Sequence, residues 1–143
     1  MQYNKTVGCA DIHIDTKRID NNIPNAQKLL NMQVAADCDD YIPRANGALR
    51  GSVNYPDGIY GGEIEWNTPY AHYQYEGIVY GPNIPKFDEE GNLIGFWSPP
   101  EKHSEDRPLH YHYPGTSDHW FERAKETHVQ QWIDLVKREV GKG

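Results

Sequence analysis

Tyr41-Ile42-Pro43-Arg44-Ala45-Asn46-Gly47-Ala48-Leu49-Arg50-Gly51-Ser52, the first signature, is the segment on which the fold of this chain depends. The second signature follows it closely and reads Trp66-Asn67-Thr68-Pro69-Tyr70-Ala71-His72-Tyr73-Gln74-Tyr75-Glu76-Gly77. Neither signature contains an arrangement of side chains that suits catalysis. Proline and glycine predict rigid backbone corners in both, and the aromatic and arginine side chains predict contacts. The sequence therefore favours assembly over catalysis.

The residues before the first signature predict a strand and a helix. Residues Val7–Asp15 alternate around Ile12 and Ile14, which is the pattern of a half-buried strand. Apolar residues at helical spacing then predict an amphipathic helix from about Pro24 to Asp39, with proline in its first turn. Pro43 disfavours helical geometry at the residue before it and so ends this element.

Between and after the signatures the pattern changes to turns. Tyr55-Pro56-Asp57-Gly58 predicts the turn of a hairpin that pairs Leu49–Tyr55 with Ile59–Trp66, and Tyr70–Gly77 predicts a short helical turn. Six prolines exclude a long helix from residues 81–115, which we predict to be a long loop region with one hairpin tip at Gly91-Asn92. That tip would join Lys86–Glu90 to Leu93–Trp97.

The C-terminal part predicts a closing helix. Ser117 or Asp118 suits its N-cap, and the helix would run to about Val140. Phe121 and Trp132 would anchor it on the sheet. The predicted fold class is α+β: an antiparallel sheet of four to five strands packed by an N-terminal and a C-terminal helix, with long irregular loops. We expect residues 1–143 to form a single domain.

The order of helices and the two signatures resemble the minor capsid or tail-completion family found in the necks of long-tailed bacteriophages. The family pattern is a helix leading into Y-x-P-x-x-x-G-x-L-R-x-S, a strand ending in W-x-T-P-Y-A-x-Y-x-Y-x-G, and a closing helix with a tryptophan. The likeness spans about Val7 to Val140 and leaves the tract from Gly81 to Tyr113 without a family feature.

The resemblance implies a non-enzymatic virion protein of the neck, made in the host cytoplasm, without a cofactor and without contact to a membrane. It implies a homo-oligomeric ring that joins the head connector to the tail tube or tail-terminator protein. DNA would pass through the channel of this ring without specific binding. A head-side connector component is the alternative.

Composition and charge agree with assembly. Hydrophobic content of 37% and a mean hydropathy of −0.85 are low for a self-sufficient globule, whereas 12% aromatic residues argue against disorder. Residues 51–115 carry ten acidic and three basic side chains, and so contain the whole excess behind the net charge of −7. Such a segment disfavours direct binding to nucleic acid, and fits either a solvated surface or the lining of a passage for DNA.

The cysteines and histidines are candidates for reactive or metal-binding groups. Cys9 and Cys38, with no signal peptide upstream, predict reduced thiols in a cytosolically made protein, and Cys38 falls on a helical face where we expect burial. His110 and His112 would point the same way on a strand, with His119 and His103 nearby. No carboxylate or cysteine stands at the spacing of a zinc motif, so we predict no metal site.

Three further constellations have ordinary explanations. Glu63 and Glu65 could be read as a glycosidase pair, but alternation with apolar residues predicts the wet face of a strand. A triad of Ser52, His72 and Asp57 lacks the strand–nucleophile–helix elbow. A run of tyrosines could stack on sugars, which makes a carbohydrate-binding module the rival hypothesis: Tyr70, Tyr73, Tyr75, Tyr80.

The predicted contact residues come from both signatures. Aromatic and arginine side chains are typical of interface centres, and the guanidinium groups of Arg44 and Arg50 suit acidic groups across a subunit boundary, although a surface salt bridge is an equal alternative. The candidate interface set is Pro43, Arg44, Gly47, Leu49, Arg50, Trp66, Pro69, Tyr70, Ala71, Tyr73, Tyr75 and Gly77.

Overall fold

The computed structural model describes residues 1–44 and 47–143, so Ala45 and Asn46 of the first signature lie outside the described residues. The chain combines helices with short strands. In chain order the elements are β1 (Gln2–Val7), β2 (Ala10–Asp15), α1 (Lys17–Asp39), α2 (Ala48–Gly51), β3 (Val53–Asn54), β4 (Glu65–Trp66), α3 (Ala71–Glu76), β5 (Ile78–Gly81), β6 (Ile84–Phe87), β7 (Leu93–Trp97), β8 (His103–Pro108) and α4 (Trp120–Val140).

The α+β class is confirmed, but the prediction of one sheet with four to five strands is wrong. In the described residues the strands form separate antiparallel pairs, β1 with β2, β3 with β4, β5 with β8 and β6 with β7. The β3–β4 pair has only two residues in each strand, and proline at Pro82 and Pro85 lacks the N–H that a further ladder would need. These breaks keep the pairs from joining into one sheet.

The N-terminal region differs from its prediction in two respects. The strand predicted from Val7 to Asp15 is a hairpin that turns at Gly8, where φ is +63°. Helix α1 begins at Lys17, one turn and more before the predicted start at Pro24, which lies inside the helix. In the first of these turns the hydroxyl of Thr16 donates to the carboxylate of Asp20 at 2.9 Å.

The region between the signatures is only partly the predicted hairpin. The turn is present, with Gly58 N–H donating to the carbonyl of Tyr55 at 2.9 Å. Leu49, however, lies in the short helix α2 with 3% of its surface exposed, so only β3 pairs with β4. Burial of Leu49 outweighs extension of the strand. In the second signature, α3 confirms the predicted helical turn and ends at Gly77 in the left-handed region.

Residues 81–115 contain more regular structure than a loop. The hairpin predicted around Gly91-Asn92 is present and its second strand, β7, has the predicted bounds, but its first strand is β6 (Ile84–Phe87) rather than Lys86–Glu90. β8 returns to pair with β5 and ties the far end of this tract to the second signature, since Leu109 N–H also donates to the carbonyl of Gly77 at 2.8 Å. Pairing between strands that are distant in sequence therefore orders this tract, although its prolines weaken the local sequence pattern that would predict strands.

The two long helices pack against each other and carry much of the core. Asn22, near the start of α1, donates to the carbonyl of Val140 at the end of α4, whereas Asp37, near the end of α1, accepts from Trp132. The helices are therefore antiparallel. The core consists of Ala26, Val34, Cys38, Ile42, Leu49, Ala71, Trp120, Ala124 and Trp132, which confirms the predicted burial of Cys38.

Helix α4 is anchored differently from the prediction. Trp132 and Phe121 stack on each other at 6.1 Å between ring centroids, and Trp132 packs against α1 rather than on a sheet. The predicted cap is also wrong: the helix starts at Trp120 after His119, without a side-chain cap, because Asp118 pairs with Arg123 at 3.0 Å instead. Within the described residues, none of the helices has the length and apolar character needed to span a bilayer.

Candidate interaction surfaces

Both signatures meet around Trp120, the first residue of α4. The ring of Trp66 stands edge-on to it at 5.9 Å, and the ring of Tyr75 stands perpendicular to it at 4.7 Å. Ile42 and Leu49 from the first signature complete this buried group, which we call the Trp120 cluster. The cluster joins the segment after α1, the segment before α3 and the start of α4 into one rigid unit.

Backbone hydrogen bonds lock the same junction. Ser117 N–H donates to the carbonyl of Tyr41 at 2.9 Å, and His119 N–H donates to the carbonyl of Tyr75 at the same distance. The hydroxyl of Tyr75 donates to Glu122. Burial is the main cause that raises the pKa of the Tyr75 hydroxyl, and this hydrogen bond adds to it. The phenol therefore stays a neutral donor through the physiological range.

The buried members of the predicted interface set already have partners within this chain. Leu49 and Ala71 belong to the core, Gly77 is buried, and Trp66 and Tyr75 pack against the core. Their burial requires no second subunit. The exposed members of the set are Arg44, Gly47, Pro69 and Tyr70, whereas Pro43, Arg50 and Tyr73 are half-buried.

Arg50 binds groups of its own chain. Its Nε donates to the carbonyl of Ile42 at 3.2 Å, and its Nη1 lies 3.3 Å from Oδ2 of Asp39. The guanidinium thus fixes the turn that follows α1. Arg44 is exposed and lines a cleft of about 420 Å³ together with His110 and His112.

The tyrosines do not form a flat platform for sugar stacking. The rings of Tyr73 and Tyr80 are in contact at 4.7 Å but inclined at 42°, and Tyr75 stands edge-on to Trp120. Of these tyrosines, Tyr70 alone is exposed. A carbohydrate-binding module needs exposed, coplanar rings, so the geometry does not favour it.

The histidine prediction placed four residues near one another. His110 and His112 do lie together, with ring centroids 4.8 Å apart, and the hydroxyl of Tyr111 between them donates to the carbonyl of Gln74 at 2.6 Å. His103 lies in β8, and His119 precedes α4 with its ring against Tyr75. Among residues 1–44 and 47–143, no three histidine, cysteine or acidic side chains are grouped as metal ligands would be.

The remaining constellations have local roles. Ser52 donates its hydroxyl to the carbonyl of Leu49 at 2.7 Å, and the ring of His72 contacts Tyr73 and Tyr80. Glu65, in β4, accepts a hydrogen bond from Asn54 across the strand pair. These contacts are structural, as expected for a wet strand and a turn.

The most exposed apolar surfaces lie outside both signatures. The β1–β2 hairpin presents Tyr3, Val7, Ile12 and Ile14 to solvent, and the β6–β7 hairpin presents Phe87, Leu93, Ile94, Phe96 and Trp97. A third surface is a groove between α1 and α4. Alternation in Val7–Asp15 was the available signal for the first, but it predicted a half-buried strand rather than an exposed hairpin.

Comparison with known proteins agrees with this picture of a structural protein. Searches of curated proteins and of solved structures found no match. The profile of a family described as minor capsid protein matches residues 10–140, which include both signatures and all of the Trp120 cluster. The resemblance noted from the signatures is thereby confirmed at the level of a phage virion component, and the chain belongs to the minor capsid protein family.

Proposed function

We propose that this chain is a neck protein of the tail-completion type, with a non-enzymatic role. Copies of it form a ring that connects the head connector to the tail tube or tail-terminator protein. The observation that carries the proposal is the amount of apolar surface left uncovered. Two hairpins and the α1–α4 groove expose large apolar side chains on a chain with a small core. Monomeric soluble proteins rarely expose such continuous patches, which mark interaction sites.

A ring needs contacts of a particular kind. Each subunit presents one surface to a different surface of the next, and such head-to-tail contacts close when the rotation allows. Two uncovered hairpins and a separate apolar groove supply unlike surfaces on one chain. The exposed signature residues Arg44, Gly47, Pro69 and Tyr70 add a polar and aromatic rim to this scheme.

Charge supports a passage for DNA without binding. Residues 51–115 hold ten acidic and three basic side chains, so phosphates would be repelled from any channel surface that they line. The ring would therefore guide DNA past an acidic wall. The proline- and tyrosine-rich loops of the tract from Gly81 to Tyr113 are proposed to reach neighbouring rings.

Mass and location test this function. Light scattering after size exclusion should give a closed multiple of the 16.4 kDa subunit, and electron microscopy should show rings. A cryo-electron microscopy map of the intact virion should place the chain in the neck. Density on the head side of the connector would instead support the alternative of a connector component. Finding the chain at the tail tip, or glycan turnover by the purified monomer, would refute the proposal.

A further inference from the structure

The β6–β7 hairpin has one continuous apolar face. Its register pairs Pro85 with Phe96 and Phe87 with Leu93, after a shift at Lys86 that leaves Ile94 as the extra residue. Paired residues share a face of a hairpin, and so do residues two apart along a strand. Pro85, Phe87, Leu93 and Phe96 therefore form a single ladder of apolar side chains.

Nothing in the described part of the chain covers this ladder. The exposed fractions are 58% for Phe87, 54% for Leu93 and 61% for Phe96. An isolated two-stranded hairpin is marginally stable in water, because it has no second layer to bury its apolar side. Two of the most exposed rings of the chain, Phe87 and Phe96, thus lie on an element that depends on an outside contact.

The groove between α1 and α4 has a matching shape. Leu30, Val34, Val129 and Ile133 are among the residues that line its volume of about 420 Å³, a size in the range of pockets that bind compact apolar groups. Lys125 and Lys137 line it as well, and stand about 18 Å apart along α4 at 1.5 Å per residue. The five residues of β7 extend over about 17 Å.

We propose that the β6–β7 hairpin of one subunit seats its Phe87–Phe96 face in the α1–α4 groove of a second copy of this chain. This inference rests on the proposed ring and names the contact that builds it. It joins unlike surfaces, so it repeats head to tail around the ring.

Charge selects this pairing. The hairpin tip carries Asp88, Glu89 and Glu90, and the groove carries Lys125 and Lys137. Asp88 is engaged within the tip, where its carboxylate accepts from the backbone of Glu90 and Asn92, while Glu89 and Glu90 are exposed. Among the residues that the structure describes, neither groove lysine forms an ion pair. Because the two lysines stand about 18 Å apart, the acidic tip meets only one of them, and opposite charges at the rim fix the register of an interface.

The β1–β2 hairpin is the other element with an exposed apolar face, but its charges do not fit. Its register places Lys5 opposite Ile12 on the apolar side, where it would meet the groove lysines. Its acidic side chains, Asp11 and Asp15, lie on the other face. This hairpin therefore does not belong in the groove of a second copy.

Disulfide cross-linking between different variants tests the contact. All variants carry Cys9→Ser, since Cys9 is exposed and Cys38 is buried. Leu93→Cys, on the apolar ladder, mixed with Ile133→Cys should give a covalent dimer under mild oxidation. Leu93→Cys mixed with Met32→Cys is the matched control, because Met32 is exposed on α1 but two residues from the groove-lining Leu30 and Val34. Equal yields from the two mixtures would overturn the proposal.

Charge reversal supplies an independent readout on exposed residues that do not support the fold. Glu89→Lys with Glu90→Lys should weaken self-association roughly tenfold in light scattering, and Lys125→Glu with Lys137→Glu should do the same. Mixing the two reversed proteins should restore association, which a loss of folding could not do.

The outcomes separate this inference from the proposed function. Rings that form without the Leu93–Ile133 cross-link, and that tolerate both charge reversals, would refute the hairpin contact and leave the ring intact. A chain that stays monomeric at every concentration and is missing from the neck would refute both.

Discussion

Trp132 provides the sharpest test of how the two long helices hold together. Its indole Nε1 donates to Oδ2 of Asp37 at 2.6 Å, and the carboxyl group of Asp37 is only 13% exposed. Gln33 donates to the other oxygen at 3.0 Å, and His128 lies 3.9 Å from the first. The bond therefore connects the buried faces of α1 and α4 where solvent competes weakly.

Trp132→Phe keeps an aromatic ring in the core and removes the donor. A hydrogen bond to a charged group contributes about 1.5–3 kcal/mol, so the free energy of unfolding should fall by about 2 kcal/mol. Asp37→Ala should cost a similar amount, because it leaves the buried indole N–H without its acceptor. The double variant should lose less than the sum, with a coupling of about 1 kcal/mol or more.

Urea denaturation followed by far-ultraviolet circular dichroism measures these differences without depending on tryptophan emission. Trp97→Phe is the matched control: Trp97 is about half exposed on β7, and its substitution should change stability by less than about 0.5 kcal/mol. Additive losses in the double variant, or a Trp132→Phe loss no larger than that of the control, would refute the reasoning.

Three other predictions concern single residues. Ellman's reagent should react at once with Cys9, which is exposed, and slowly with Cys38, which is buried and whose thiol pKa burial raises from 9.0 to about 12; equal rates would contradict the packing. Because the pKa of this thiol is higher in the folded chain than in the unfolded chain, its contribution to the free energy of unfolding is complete below pH 9 and is lost as the pH rises towards 12. The free energy of unfolding should therefore fall over this pH range, and it should fall less steeply for Cys38→Ala. Gly77→Ala should destabilise the protein by at least about 1 kcal/mol more than Gly91→Ala in thermal melts. Both glycines have positive φ, but only at Gly77 would an added Cβ meet Asp118, at 2.7 Å from its Oδ2. Equal losses would show that the Asp118 side chain moves aside without cost.

Periodicity predicted the elements whose apolar faces are continuous. Both long helices were recognisable, and so was the burial of Cys38 on one of them. The Gly91-Asn92 tip was also found, because turn chemistry is local. Pro24 misled the prediction of where α1 begins, since the turns before it expose Ile19 and Ile23 and so lack the buried apolar face that periodicity detects.

The pairing of strands that are distant in sequence could not be predicted from local sequence pattern. The contact between β5 and β8 brings Gly81 opposite His103 across an intervening hairpin, which no turn signal announces. Trp120 was missed as the central core residue because it stands at the helix start, where periodicity has no preceding turn to compare. The two rings that were chosen instead, Phe121 and Trp132, lie on the side that meets α1.

In this chain the sequence motifs build the core of the subunit, whereas other surfaces are left exposed for assembly. The two signatures were predicted to contain contact sites between subunits, yet Leu49, Trp66 and Tyr75 pack in the cluster around Trp120 inside one subunit. Bulky residues at sharp backbone turns are stabilised where they fill space in the close-packed core. Segments with a distinctive local sequence therefore tend to form the interior of the subunit. A surface that is covered only after assembly needs an exposed apolar face and complementary charge, as in the β6–β7 hairpin. Changes in the Trp120 cluster should therefore impair folding first and assembly as a consequence, whereas changes on the exposed hairpin face should impair assembly alone.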